Sequence, residues 1–176
     1  MYGVRAIAAV STEDHYMFSI GAFTIIFDDE HRVLLCHRRD LDVWNLPGGL
    51  VESGELPTEA VIRETKEETG LDIAIERLVG VYGKADKDEL VFAFVCQAIS
   101  GQLASTDEAD ECSYFEISRI PENTVPKQVG RIHDALHSEF QPVFRRQTEP
   151  STREMLRKLQ TGSETTLKGE GSDSRE

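Results

Sequence analysis

The stretch that decides the fold reads GLVESGELPTEAVIRETKEETGL, from Gly49 to Leu71. Its second half is predicted to be a helix from about Pro57 to Thr69. Proline suits a first helical turn, and Gly70 suits the position just past the end. On that helix Glu64, Glu67 and Glu68 stand at i, i+3 and i+4, so their side chains share an arc of roughly 100°. Val61, Ile62, Thr65 and Thr69 fall on the adjoining arc, suited to packing on a sheet. Glu59, Arg63 and Lys66 take the remaining, solvent-facing arc. Like charges at those spacings repel by about a few tenths of a kcal/mol per pair. A divalent cation would offset that repulsion, and hard ions such as Mg²⁺ or Mn²⁺ prefer carboxylate oxygens. A Glu-rich helix taken alone is also what an ordinary solvated face looks like. The Gly-Gly turn, Glu55 and Arg63 shift the balance when read together with it.

Working outward, MFSIGAFTIIF (Met17 to Phe27) and VLLCH (Val33 to His37) read as strands, with the polar segment Asp28 to Arg32 between them. Together they suggest a hairpin. WNLPGGLV, from Trp44 to Val51, is an extended but bent entry to the helix. Past the helix, strands are expected at Ile73 to Tyr82 and Glu89 to Ile99, split by the charged turn KADKD, with a short one at Ser113 to Ile117. Gln128 to Phe140 looks helical, with Val129, Ile132 and Leu136 on one face. This mixture of strands with two main helices is α+β in class. The domain is expected to span residues 1–140, followed by a C-terminal extension at 141–160. Ser151 and Glu154 have capping-box spacing there, before Met155, Leu156 and Leu159. Residues 143–160 either pack back on the domain or form a homodimer contact. Residues 161–176, rich in Gly, Ser, Thr and Glu, are expected to be a disordered tail.

The formal net charge of -13, with 32 acidic against 19 basic side chains, repels nucleic-acid backbones and argues against nucleic acid as partner. A small phosphorylated ligand would be repelled too, unless bound cations reverse the local field. No apolar run approaches the ~20 residues of a membrane span, and the N-terminus lacks a leader pattern. A cytoplasmic setting is the expectation, without membrane partners. Cys36, Cys96 and Cys112 show neither paired nor metal-type spacing and are read as buried free thiols.

The decisive stretch resembles the signature of the Nudix hydrolase family, G-x5-E-x7-R-E-U-x-E-E-x-G-U, where U is a bulky aliphatic residue. Gly49, Glu55, Arg63, Glu64, Glu67, Glu68, Gly70 and Leu71 stand in register with it. One position departs: Thr65 occupies the first U and is expected to pack like a short Val. The resemblance covers Ser19 to about His137. It implies a Nudix α/β/α sandwich with a mixed central sheet.

The resemblance also implies a metal-dependent pyrophosphohydrolase using Mg²⁺ or Mn²⁺. Its substrate would be a small nucleotide-type molecule, a nucleoside diphosphate linked to another moiety, as in nucleoside triphosphates, nucleotide sugars or ADP-ribose. Glu67 and Glu68 would be metal ligands, Glu64 a ligand or the base that orients the attacking water, and the Gly49 carbonyl a further ligand. Arg63 would pair with Glu55 to hold the loop on the helix, rather than with Glu67 at i, i+4. STDEADECSYF resembles the later segment that supplies an extra carboxylate, which makes Glu108 a candidate ligand or base, with Glu111 and Glu52 behind it. Arg38 and Arg39 are candidate phosphate contacts against a reading as surface arginines. Trp44 is a candidate base-stacking residue against a core or lid position. Tyr82 and Phe94 are assigned to packing, and His133 with His137 to the surface. Markers of the NADH, ADP-ribose and coenzyme A subfamilies were not found outside the box. The alternative to an enzyme is a Nudix-fold nucleotide sensor without catalysis, but such proteins usually lose glutamates from the box.

Overall fold

In the computed structural model the described residues are 18–84, 87–138, 141–150 and Arg157. The β-branched run after Phe18 forms β1, Ser19–Ile26, and VLLCHR forms β2, Val33–Arg38. They do not make a hairpin. Strand β1 pairs antiparallel with β4 (Gly48–Leu50) and parallel with β6 (Glu89–Gly101). Strand β2 pairs instead with β3 (Trp44–Asn45) and β7 (Ala109–Phe115). Only an isolated bridge between Phe27 and Val33 joins the two runs. The polar link carries the chain from one sheet to the other, a choice made by distant partners.

The larger sheet is mixed, in the order β4-β1-β6-β5-β8, and the smaller has the order β3-β2-β7. Strand β5 (Leu71–Lys84) runs antiparallel to β6. Strand β8 (Val143–Gln147) lies parallel to β5 at the sheet edge. The segment 143–147 therefore packs back on the domain as a strand, and the fold runs past residue 140. The helix expected near Met155 lies outside the described residues, Arg157 apart, as does the expected tail.

Helix α1, Pro57–Thr69, has the expected bounds. Leu56 N donates to the Glu59 carboxylate, and Gly70, with φ 77°, donates its N–H to the Lys66 carbonyl. Val61, Thr65, Glu68 and Thr69 are buried on the sheet side. Thr65 does pack like a short Val, and its hydroxyl donates to the Val61 carbonyl at 2.6 Å, so its burial leaves no polar group unpaired. Ile62 is 43% exposed rather than packed. Helix α2 spans Pro126–His137, two residues ahead of its expected start. Its buried face is Gln128, Arg131, Ile132 and Ala135, while Leu136 turns outward. Polar groups on that face are the first sign of a cleft beneath it.

The period-2 alternation of β6 splits the core in two. Val91, Ala93 and Val95 pack with Ile132 and Ala135 of α2. Phe94 and Cys96 pack with Ala60 and Val61 of α1. This is the α+β sandwich expected from the sequence, a sheet layer between two helices. Tyr82 and Phe94 are core residues as expected, and His133 and His137 are exposed. Cys96 is the buried free thiol expected of it. Cys36 and Cys112 are not free thiols: they face each other in the β2–β7 register and form a disulfide. Among the described residues no helix is long and apolar enough to cross a membrane.

Candidate active site

The turn before α1 is built for close approach. Gly48 has φ 136°, and a Cβ there would lie 2.2 Å from the Ala22 carbonyl oxygen, so the turn admits only glycine. A Cβ on Gly49 would meet the Glu64 carboxyl group at 2.6 Å. Residue 49 is bare so that α1 can bring Glu64 against β4.

Arg63, assigned to the solvent arc from spacing alone, is drawn inward. Its Nε and Nη2 donate to the two Glu55 oxygens at 2.9 and 3.0 Å. Its Nη1 donates to Glu64 at 2.9 Å and to Glu67 at 3.1 Å. A further bond reaches the Leu50 carbonyl at 3.2 Å. The expected Glu55 pairing and the i, i+4 alternative with Glu67 both occur. Bidentate pairing of this kind fixes geometry as well as charge. Arg63 holds the Glu55 carboxyl below its usual range, and the pairing raises the Arg63 pKa in turn.

Glu68 is buried, and its Oε2 accepts a hydrogen bond from Gly48 N at 2.8 Å. Burial pushes its carboxyl up to about 8, and Glu64 and Glu108 add to the effect. Burial raises Glu64 as well, with Arg63 opposing. Carboxylate oxygens of Glu64, Glu68 and Glu108 lie within 4.8 Å of one another. Among the described residues no basic side chain is within ion-pair distance of Glu68 or Glu108. Three crowded acceptors without an adjacent donor are a donor set that fits a hard divalent cation.

The loop carrying Glu108 is pinned in place. Its N–H donates to Thr106 Oγ1 at 3.3 Å, and the Thr106 hydroxyl donates to the Glu68 carbonyl at 3.4 Å. Arg39 donates through its backbone N to the Glu108 carbonyl and through Nη2 to the Thr106 carbonyl. Arg39 thus supports the loop and is not among the residues lining the cleft beside it. Trp44 packs edge-on against Phe115, with ring centroids 4.8 Å apart, and against His37. It is also absent from the cleft lining, which matches its core reading. Glu67 is 53% exposed on its side chain and turned to Arg63. Glu52 is exposed, and Glu111 accepts from Ser113.

The cleft encloses about 580 Å³. Glu68, Glu108, Gly48 and Gly49 line one part of it, with Arg38, which forms a bidentate pair with Asp40. Lys84, Lys87, Lys127 and Arg131 bring basic groups to a chain that is acidic overall. Asn45, Gln128, Phe23 and Arg131 lie in the lining as well. Sequence reading passed over this second group. Its members sit on β1, β3 and α2, and no local spacing joins them.

A family model for the NUDIX domain matches residues 17–136. A Bacillus subtilis (strain 168) protein provisionally named an 8-oxo-dGTP diphosphatase is 34% identical over 119 residues, covering 67% of this chain and 80% of the relative. An ADP-ribose pyrophosphatase of Methanocaldococcus jannaschii is 35% identical over 113 residues, covering 60% of this chain and 67% of the relative. Among solved structures, a NUDIX hydrolase from Nitrosomonas europaea superposes with a TM-score of 0.67 at 22% identity, covering 76% of this chain and 81% of that one. That likeness speaks for the fold.

Proposed function

Since the chain belongs to the Nudix hydrolase family, we propose that it is a metal-dependent pyrophosphohydrolase cutting a phosphoanhydride bond in a nucleoside diphosphate linked to another moiety. The observation that carries this reading is the convergence of Glu64, Glu68 and Glu108 at a cleft with basic groups in its wall. Glu64, Glu67, Glu68 and Glu108, with the Gly49 carbonyl, are the groups that would hold Mg²⁺ or Mn²⁺. When bound, such an ion neutralises the diphosphate and lowers the pKa of water near it.

The chain's own residues do the rest. Arg63 holds Glu55, Glu64 and Glu67 in one frame, so the loop and the helix face move as a unit. Arg38 and the lysines of the cleft wall bind and orient phosphate oxygens. Glu64 or Glu108 takes the proton of the attacking water, which requires it within hydrogen-bond reach of that water. The relatives named above act on 8-oxo-dGTP and ADP-ribose by their names, so the substrate is sought among nucleoside triphosphates, nucleotide sugars and ADP-ribose. A cytoplasmic setting belongs to the same reading.

The test is a hydrolysis screen in Mg²⁺ and in Mn²⁺ over normal and oxidised nucleoside triphosphates, ADP-ribose, nucleotide sugars, dinucleotides and NADH, with Glu68→Gln as the blank. Turnover that needs the metal and disappears in the variant is expected, and it names the substrate class. Silence across the panel, with nucleotide binding intact by calorimetry, would overturn hydrolysis in favour of a sensor.

A further inference from the structure

The end of the cleft formed by β3 and α2 holds polar groups whose hydrogen-bonding capacity is left unused. Asn45 is 7% exposed. Its Nδ2 donates to the Leu46 carbonyl at 3.0 Å, which fixes the amide orientation. Its Oδ1 is buried and, among the described residues, has no hydrogen-bond partner. Such an acceptor costs about 1–3 kcal/mol unless something fills it.

The donors stand opposite. Gln128 is 7% exposed, and its Oε1 accepts from Leu46 N, the backbone of the residue next to Asn45. That contact leaves the Gln128 amide NH₂ without a protein acceptor among the described residues. Arg131 follows three residues later on the same face of α2 and is 3% exposed. Its Nε and Nη2 both donate to Gln147 Oε1, at 3.2 and 2.8 Å, which leaves Nη1 without an acceptor. No carboxylate among the described residues is within ion-pair distance of Arg131. Its guanidinium lies over the Phe23 ring, 5.1 Å from the centroid, and Phe23 also lines the cleft. A flat apolar surface, two buried donors and one buried acceptor therefore share one wall. A buried cation with no counter-ion is costly, and acceptor oxygens of a ligand would offset it.

Resting on the nucleotide-hydrolase reading above, we propose that this wall is a base-recognition site selecting nucleotides with a lactam edge, a ring carbonyl next to a ring N–H. The base stacks on Phe23, its carbonyl accepts from Gln128 Nε2 and Arg131, and its ring N–H donates to Asn45 Oδ1. Guanine and uracil or thymine carry that edge. Adenine and cytosine place an amino group where the carbonyl should be, which sets donor against donor and leaves Asn45 unpaired. Sites built on buried hydrogen bonds reject a mismatched edge far more strongly than apolar pockets reject an extra methylene.

Calorimetry on the full chain in Mg²⁺ tests this, using the uncleavable α,β-methylene diphosphates of guanosine, uridine, adenosine and cytidine. The guanosine or uridine analogue is expected to bind at least roughly tenfold tighter than the adenosine and cytidine analogues. Which of the two leads tells whether the site is sized for purine or pyrimidine. Gln128→Glu keeps the oxygen that accepts from Leu46 N but turns the free donor into an acceptor. It should cut the lactam preference by about tenfold, and circular dichroism checks that it is folded. Asn45→Ala, which leaves the α2 contacts alone, should lower the same ratio. Equal affinities for the four analogues, no binding of any, or ratios untouched by both variants would overturn the base site. Hydrolysis of the corresponding triphosphates is read separately, so a failed hydrolase reading shows as absent turnover with the binding ratio intact.

Discussion

Arg63 and Glu55 form a two-pronged ion pair, with Nε on one carboxylate oxygen at 2.9 Å and Nη2 on the other at 3.0 Å. The pair joins the loop before α1 to the helix face that carries the acidic residues. Arg63→Lys keeps the charge but cannot make the planar double contact or also reach Glu64 and Glu67. The variant is expected to lose roughly ten- to a hundredfold in kcat, the scale set by small misplacements of reacting groups. Its urea midpoint should fall as well. Full activity in the lysine variant would show that charge alone suffices and that the fork has no positioning role.

Glu67 and Glu108 test the ligand set from opposite sides. Glu67 is exposed and held by Arg63, whereas Glu108 lies within the carboxylate cluster on a pinned loop. Glu67→Gln should abolish turnover and leave the melting temperature near that of the unmodified chain, because the side chain supports no packing. A rate unchanged at saturating Mg²⁺ would remove Glu67 from the ligand set. Glu108→Ala should cost roughly tenfold or more, in the range of a lost general base. A loss under about twofold would return Glu108 to an ordinary acidic loop.

The disulfide supplies a prediction about stability. Cys36 and Cys112 are separated by 76 positions, and closing a loop of that size is worth about 4 kcal/mol in the chain-entropy view. Cys36→Ser, or reduction with dithiothreitol, should therefore lower the urea midpoint markedly. Peptide mapping without reductant should recover the Cys36–Cys112 pair, with Cys96 free. An unchanged midpoint after verified reduction would show that the sheets hold the unfolded-state cost without the bond.

Local signals made the helix bounds legible. Pro57 and Gly70 act within one turn of themselves, and both ends of α1 fall where they indicate. The resemblance of Gly49 to Leu71 carried the fold class and the Arg63–Glu55 pair. What failed was non-local. A 100° arc does not say which flank meets the sheet, so Ile62 and Arg63 exchanged expected environments. The runs of β1 and β2 are adjacent in sequence and joined by a polar turn, yet their partners lie beyond residue 88 or in the β3–β4 segment. Cys36 meets Cys112 only because β2 pairs with β7. Asn45, Gln128 and Arg131 come together through contacts such as Leu46 with Gln128, 82 residues apart, for which the sequence holds no pattern.

Glu68 gives a pH dependence whose sign can be worked out. Its folded carboxyl titrates at about 8, raised first by burial and then by Glu64 and Glu108, against an ordinary value of 4.5. The fold therefore prefers the protonated acid. That stability is complete below about pH 4.5 and is lost as the pH rises through about 8, where the fold must hold an ionised, buried carboxylate. Glu68→Gln keeps an oxygen to accept from Gly48 N and carries no charge at any pH. In metal-free buffer the variant should gain on the unmodified chain between pH 5 and 8 and melt higher at pH 8.5, by roughly 5 °C for a change of one to two kcal/mol. Saturating Mg²⁺ should reverse the order, because the ion binds the ionised carboxylate and stabilises only the chain that has it. Thermal melts at several pH values, with EDTA and with Mg²⁺, decide the matter. Parallel curves for the two proteins in EDTA would mean that Glu68 is ionised without penalty in the fold, and the burial argument for a metal at this position would go with it.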